Sequence, residues 1–115
     1  MATLEGIILL NSSTAALQIV NTKTGEKLEN VTREFSDSDI NSPIFSTEIM
    51  RRALEQVHKF QQLLRDYAVK TVQLFGSETL SQMKNAVYFA DQVESTTGLK
   101  IQWLNGNQES FYRQL

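Results

Sequence analysis

An apolar run, Ile101-Gln102-Trp103-Leu104, stops at the turn Asn105-Gly106-Asn107, and a carboxylate, Glu109, follows where a helix would begin. That arrangement holds a charge at the carboxyl end of a strand. Open α/β sheets bind their ligands there, because the loops leaving the strands form a crevice and the helix N-termini present free backbone N–H groups. Glu109 is therefore the first candidate for catalysis. An acid in the first turn of a helix is also favoured by the macrodipole alone, so this segment by itself leaves capping and catalysis both open.

Other residues that do chemistry elsewhere are poorly placed for it here. His58 is the single histidine of the chain, and no cysteine or second histidine is present to share a metal with it. Lys23 sits in Thr22-Lys23-Thr24-Gly25, which lacks the glycine spacing and following helix of a phosphate loop. Trp103 and the Phe111-Tyr112 pair suit core or interface packing as well as an exposed aromatic surface.

The 115 residues suit one domain, and contents of 41% hydrophobic and 21% charged residues are those of an ordinary globular chain. Thirteen acidic residues against 11 basic ones give a formal net charge of −2, which offers neither a nucleic-acid surface nor a polybasic membrane contact. The absence of cysteine excludes disulfides and thiolate chemistry and fits a reducing compartment. Ile7 to Leu10 is the longest apolar run near the N-terminus, too short for a signal or a membrane span, so the expected location is the cytoplasm.

The elements that must position Glu109 follow from periodicity. Leu4 to Leu10, Ala15 to Asn21 and Lys27 to Phe35 read as a β-meander, joined by turns at Asn11-Ser12-Ser13 and Thr24-Gly25-Glu26. The third run is the most polar and suits an edge strand. Ser36 to Pro43 reads as a loop. Ile49, Ala53, Val57, Phe60, Leu64 and Tyr67 recur at helical spacing after Ser46, a good N-cap, and predict one amphipathic helix from about Thr47 to Tyr67. A strand over Val69 to Phe75 ends at Gly76. A second helix follows, with Leu80, Met83, Val87, Ala90 and Val93 as its apolar face and Gly98 beyond its end. The strand Leu99 to Leu104 and a short helix from about Gln108 complete the order βββαβαβα.

That order implies an α/β fold with a mixed five-stranded sheet, each helix crossing between neighbouring strands, and it is the order of a ribonuclease H-like half-domain. In such a sheet the turn after the first strand and the strand ends near Gly76 and Gly106 meet on one side. A ligand site is expected there.

The segments Phe45-Ser46-Thr47-Glu48-Ile49-Met50-Arg51-Arg52-Ala53-Leu54 and Gly76-Ser77-Glu78-Thr79-Leu80 carry a resemblance. So does Thr97-Gly98-Leu99-Lys100-Ile101 leading into Asn105-Gly106-Asn107-Gln108-Glu109. They resemble the exopolyphosphatase and guanosine pentaphosphate phosphohydrolase (Ppx/GppA) family, in matching order and over nearly the whole chain. The resemblance implies the actin-like ATPase superfamily, with a substrate of polyphosphate or guanosine polyphosphate lying in a cleft between two related subdomains. Residues 1–115 would be the first of these, a fragment of a longer chain. It also implies magnesium as cofactor and Glu109 as the base that activates water. Phosphoanhydride cleavage asks a protein mainly to orient water and offset phosphate charge, and a carboxylate suits the first task.

Four positions depart from the family pattern. Leu9 and Asn11 replace the aspartate and the first glycine of the turn after the first strand, Gln108 replaces a glutamate, and Ser81 replaces an arginine. Apolar carbon cannot ligate magnesium, and a side chain on the turn restricts backbone approach to phosphate. The hydroxyls of Ser12, Ser13 and Thr14, those of Ser77 and Thr79, and the backbone at Gly106 remain candidate phosphate contacts. No metal ligand is assigned. A hydrolase half-domain inactive in isolation and a noncatalytic binding or regulatory relative are the two functional expectations. Homodimerisation through the sheet edge or the C-terminal aromatics is a third, structural one.

Overall fold

The structure is a computed structural model that describes residues 3–35 and 46–104. Three strands open the chain, β1 (Leu4–Leu10), β2 (Thr14–Asn21) and β3 (Lys27–Glu34). Helix α1 (Thr47–Asp66), strand β4 (Thr71–Gly76), helices α2 (Glu78–Ser81) and α3 (Ala86–Thr97), and strand β5 (Ile101–Trp103) follow. They form one mixed five-stranded sheet in the order β3-β2-β1-β4-β5. The expected α/β class and ribonuclease H-like order hold over the described residues. The loop at 36–45 and the terminal helix from Gln108 lie outside them.

Alternation builds the meander. Ile8 and Leu10 on β1 and Ala15, Leu17 and Ile19 on β2 are fully buried on one face, as a two-residue repeat requires. The pairs β1–β2 and β2–β3 are antiparallel, while β1–β4 and β4–β5 are parallel. A bulge at Leu28 on β3 shifts the register opposite Ile19 and Val20. As expected, β3 is an edge strand, and most of its residues are exposed.

Helix α1 lays Met50, Ala53, Val57, Phe60 and Leu64 on the buried sheet face. Burial of a large apolar side chain such as Phe60 contributes about 1.5–3 kcal/mol, so this stripe is a main anchor of the fold. The Ser46 hydroxyl accepts from the Ile49 N–H at 3.1 Å and caps the helix start. Arg51, hydrogen-bonded to Glu48, holds that carboxyl below its ordinary value. At the other end, the Tyr67 hydroxyl donates to Glu29 Oε2 at 2.9 Å and fastens the helix to β3. The same bond to Glu29 pushes the Tyr67 phenol above its ordinary value.

Three expectations need correction. Helix α1 does not join neighbouring strands: it carries the chain from β3 past β2 and β1 to β4. The strand expected from Val69 begins at Thr71. The second helix, expected as one unit, is two, separated at residues 82–85, and Val87, assigned to its apolar face, is 73% exposed. Val93 is buried as expected, and Ala86 and Phe89 join it on the buried face of α3. The reason is geometric. At about 100° per residue, Leu80 and Phe89 on a continuous helix would point about 180° apart. Both are fully buried, so the chain must break between them. Gly98 ends α3 in the left-handed conformation, φ 75°, as its composition suggested.

A side chain at Gly76 is excluded by packing: its Cβ would meet the Trp103 ring at 2.5 Å and Ile101 Cγ2 at 2.8 Å. Gly76→Ala is expected to destabilise the fold by about 1–3 kcal/mol, measured by urea unfolding. Unchanged stability would show that β5 does not close over β4 in this way. Alkaline titration followed by tyrosinate absorbance is expected to show the Tyr67 phenol ionising late. Stability from its bond to Glu29 is present below the unfolded tyrosine value and lost as pH rises through the folded one. Glu29→Gln is expected to bring that late titration down.

Candidate functional site

Parallel pairing sets the ends of β1, β4 and β5 along one edge of the sheet. Leu10 pairs with Gly76, and Gly76 with Trp103. The backbone continues the join beyond the strands. The Ser77 N–H donates to the Leu10 carbonyl at 2.9 Å, and the Leu104 N–H donates to the Gly76 carbonyl at 2.9 Å. Residues distant in sequence thus leave the sheet side by side, the arrangement in which α/β folds build ligand sites.

The first-strand turn is closed by its own polar groups. The Asn11 N–H donates to the Thr14 carbonyl at 2.8 Å. Asn11 Oδ1 accepts from the Ser12 N–H at 2.8 Å and from the Ser77 hydroxyl at 2.9 Å. The Ser77 oxygen in turn accepts from the Leu80 N–H at 3.1 Å and caps α2. Ser77 is fully buried, so its hydroxyl is spent on joining the two turns.

The other candidates distribute around this bond. Ser12, Ser13 and Thr14 are half-buried on the turn, next to Ser77 through Asn11. Thr79 is exposed on α2. The Ser81 hydroxyl donates to the Glu78 carbonyl at 2.6 Å, within its own turn. Glu109 and Gly106 lie outside the described residues. His58 is exposed on α1, and Trp103 is 39% exposed beside Gly76.

A groove of about 390 Å³ runs from this turn along the sheet face opposite α1. Leu9 and Ala16 form part of its floor, with Asn11 and Thr14 at one end and Gln18 and Lys27 along it. Gln18 Oε1 is buried without a hydrogen-bond partner among the described residues. Sequence reading passed over Gln18, although an amide in the apolar alternation of β2 is the kind of signal that marks such a position. Asn11 was read only as a lost glycine, and its role as the tie between two turns required the β1–β4 register.

Among the described residues, no group of three or more His, Cys, Asp and Glu comes together. None of the described helices is long and apolar enough to cross a membrane.

Comparisons with known proteins agree on the architecture. A family member from Aquifex aeolicus superposes with a TM-score of 0.85 at 17% identity, over 95% of this chain and 37% of its own. An exopolyphosphatase from Cytophaga hutchinsonii superposes with a TM-score of 0.82 at 22% identity, over 93% of this chain and 36% of its own. The ethanolamine utilization protein EutJ from Carboxydothermus hydrogenoformans, with a TM-score of 0.53 at 10% identity, shares the fold more distantly over 91% of this chain and 37% of its own. No curated protein matches the sequence. The chain spans little more than a third of these relatives.

The site predicts contrasting variants. Ser77→Ala is expected to cost about 1–3 kcal/mol, since it strips a buried cap and leaves Asn11 short of a donor. Thr79→Ala, on an exposed position, is expected to stay within about 0.5 kcal/mol of the parent. Chemical denaturation of both variants checks the contrast, and equal losses would contradict it.

The Ppx/GppA phosphatase family pattern matches residues 11–114; with the strand ends gathered on one edge as described, this chain belongs to the Ppx/GppA family.

Proposed function

We propose that the chain is the phosphate-side lobe of a phosphoanhydride hydrolase for polyphosphate or guanosine pentaphosphate, one that does not turn over substrate alone. The observation that carries this reading is the Asn11–Ser77 hydrogen bond. It sets the first-strand turn against the turn after β4, at the edge where the parallel strands end. The exopolyphosphatase from Cytophaga hutchinsonii is nearly three times longer than the matched part, which supports a second lobe, and the proposal sets that lobe against this edge. Ser12, Ser13 and Thr14 offer hydroxyls to phosphate oxygens, Thr79 and the Gly106 backbone add to the rim, and Ser77 fixes the turn. Glu109 orients the attacking water and takes its proton.

Magnesium, which the family resemblance implies, finds no donor set at this turn. Leu9 brings only carbon to the groove, and Asn11 Oδ1 already accepts two hydrogen bonds. The Leu10 carbonyl is taken by the Ser77 N–H. On this reading the first-strand turn contributes hydroxyl and amide contacts to phosphate and no carboxylate to a metal. A cytoplasmic location completes the proposal, supported by the cysteine-free sequence.

The same replacements favour a second reading, in which the protein binds phosphorylated ligands without cleaving them. The closed Asn11 turn and the self-bonded Ser81 hydroxyl support it.

Phosphate release from polyphosphate and from guanosine pentaphosphate separates the readings when measured on the protein with its remaining lobe, with and without magnesium. The hydrolase reading expects turnover that Glu109→Gln lowers by about 100-fold or more. Inertness of the complete protein, with binding of guanosine tetraphosphate or short polyphosphate in calorimetry, would establish the second reading instead. Neither turnover nor binding would overturn both.

A further inference from the structure

The outer side of β3 carries a pattern that the proposed chemistry does not use. Among the described residues β3 is an unpaired edge of the sheet, and Lys27, Asn30, Thr32, Arg33 and Glu34 are exposed along it. The Phe35 N–H donates to the Ser13 carbonyl at 2.9 Å, continuing the β2–β3 ladder beyond the pair Thr14–Glu34. In an antiparallel ladder the backbone groups of successive residues point alternately inward and outward. Phe35, Arg33, Val31 and Glu29 therefore aim their N–H and C=O groups at β2, and Asn30, Thr32 and Glu34 aim theirs away from the sheet. The bulge at Leu28 ends this regular run.

We infer that β3 pairs antiparallel with β3 of a second copy of this chain, about a two-fold axis at Val31. Parity restricts the registers, because outward-pointing residues must oppose outward-pointing residues. Charge then selects among them. Centring on Asn30 sets Glu29 against Val31 and carries Arg33 past the bulge at Leu28, so neither charge is paired. Centring on Thr32 sets Arg33 against Val31 and Asn30 against Glu34, which pairs neither charge. Centring on Val31 sets Glu29 against Arg33 twice, Asn30 against Thr32 twice, and Val31 against itself.

The side chains suit that arrangement. Val31, half-buried at the rim of the core and paired with buried Leu17, would meet its symmetry mate in the narrow non-hydrogen-bonded site and extend the core across the join. Glu29 is held on the same face by the Tyr67 hydroxyl, which contacts one carboxylate oxygen and leaves the other for Arg33 of the partner copy. Arg33 has no ion-pair partner among the described residues. Asn30 and Thr32 exchange the main-chain hydrogen bonds on either side of the axis. No proline interrupts the strand, and its charges oppose like with unlike only in this self-pairing, so the edge is complementary to itself.

Analytical ultracentrifugation of the chain over a wide concentration range tests the inference. A reversible dimer is expected, weakened by added salt. Arg33→Glu alone and Glu29→Arg alone each oppose like charges twice and should raise the dissociation constant at least about tenfold. Mixing the two variants restores both pairs, so the mixture should form a heterodimer as tightly as the parent dimer. Circular dichroism of each variant confirms the fold. Thr32→Pro removes an outward N–H only, and is expected to abolish dimers while leaving the unfolding midpoint little changed. A parent chain that stays monomeric throughout, variants that dimerise alone as well as the parent does, or a mixture that stays monomeric would each overturn the inference.

Discussion

The parallel join of β1 to β4 is the constraint on which the structure rests. β1 occupies the middle of the sheet, and everything after residue 46 reaches the meander through that pairing or through α1 packed above it. At its carboxyl end Leu10, Gly76 and Trp103 lie in one row and the backbone of Ser77 bonds to Leu10. Glycine is needed at the centre of that row because the Trp103 ring and Ile101 occupy the space of a side chain. Packing there also sets the position of the candidate site, since the turns that form it leave from these paired strand ends.

The described helices contribute to one face of the sheet. The buried cluster joins Ile8, Leu10, Leu17 and Ile19 to the stripes of α1 and α3, whereas the opposite face carries Leu9, Ala16 and Gln18 along a groove. This asymmetry matters for the functional reading. The groove opens at Asn11 and Thr14, so the first-strand turn borders both the strand-end crevice and the second face. An amide whose oxygen is buried without a partner among the described residues is costly in an apolar setting, and Gln18 places that cost in the groove that leads from the same turn.

Much of this was legible in the sequence, for identifiable reasons. β1, β2 and α1 followed from two- and four-residue spacings, because each buries one clear face, and the edge character of β3 followed from its polarity. The division of the second helical segment was hidden, since Leu80, Met83, Val87, Ala90 and Val93 make a plausible stripe until Ala86 and Phe89 are seen to be buried. Local periodicity cannot choose between two overlapping faces; the surface each one meets decides. The long crossover by α1 was missed for a similar reason, as helix length says nothing of how many strands are passed. At the site, residue types identified the turn, but the bond between Asn11 and Ser77 depends on a register that links residues 66 positions apart. Glu109 and Gly106 fall outside the described residues and gain no geometry from it.

That separation also bears on how the chain reaches its native state. The hairpins of β1, β2 and β3 are local and quick to close, whereas β1 meets β4 only after a loop spanning α1 has been drawn together, a step that slows folding. Until then, Ile8, Leu10, Leu17 and Ile19 form an apolar sheet face with no helix over it, and β1 has an open flank. Such a species is prone to stick to others like it. During synthesis the N-terminal strands emerge first and await the rest, so this protein's vulnerability to aggregation is concentrated in the interval before α1 docks.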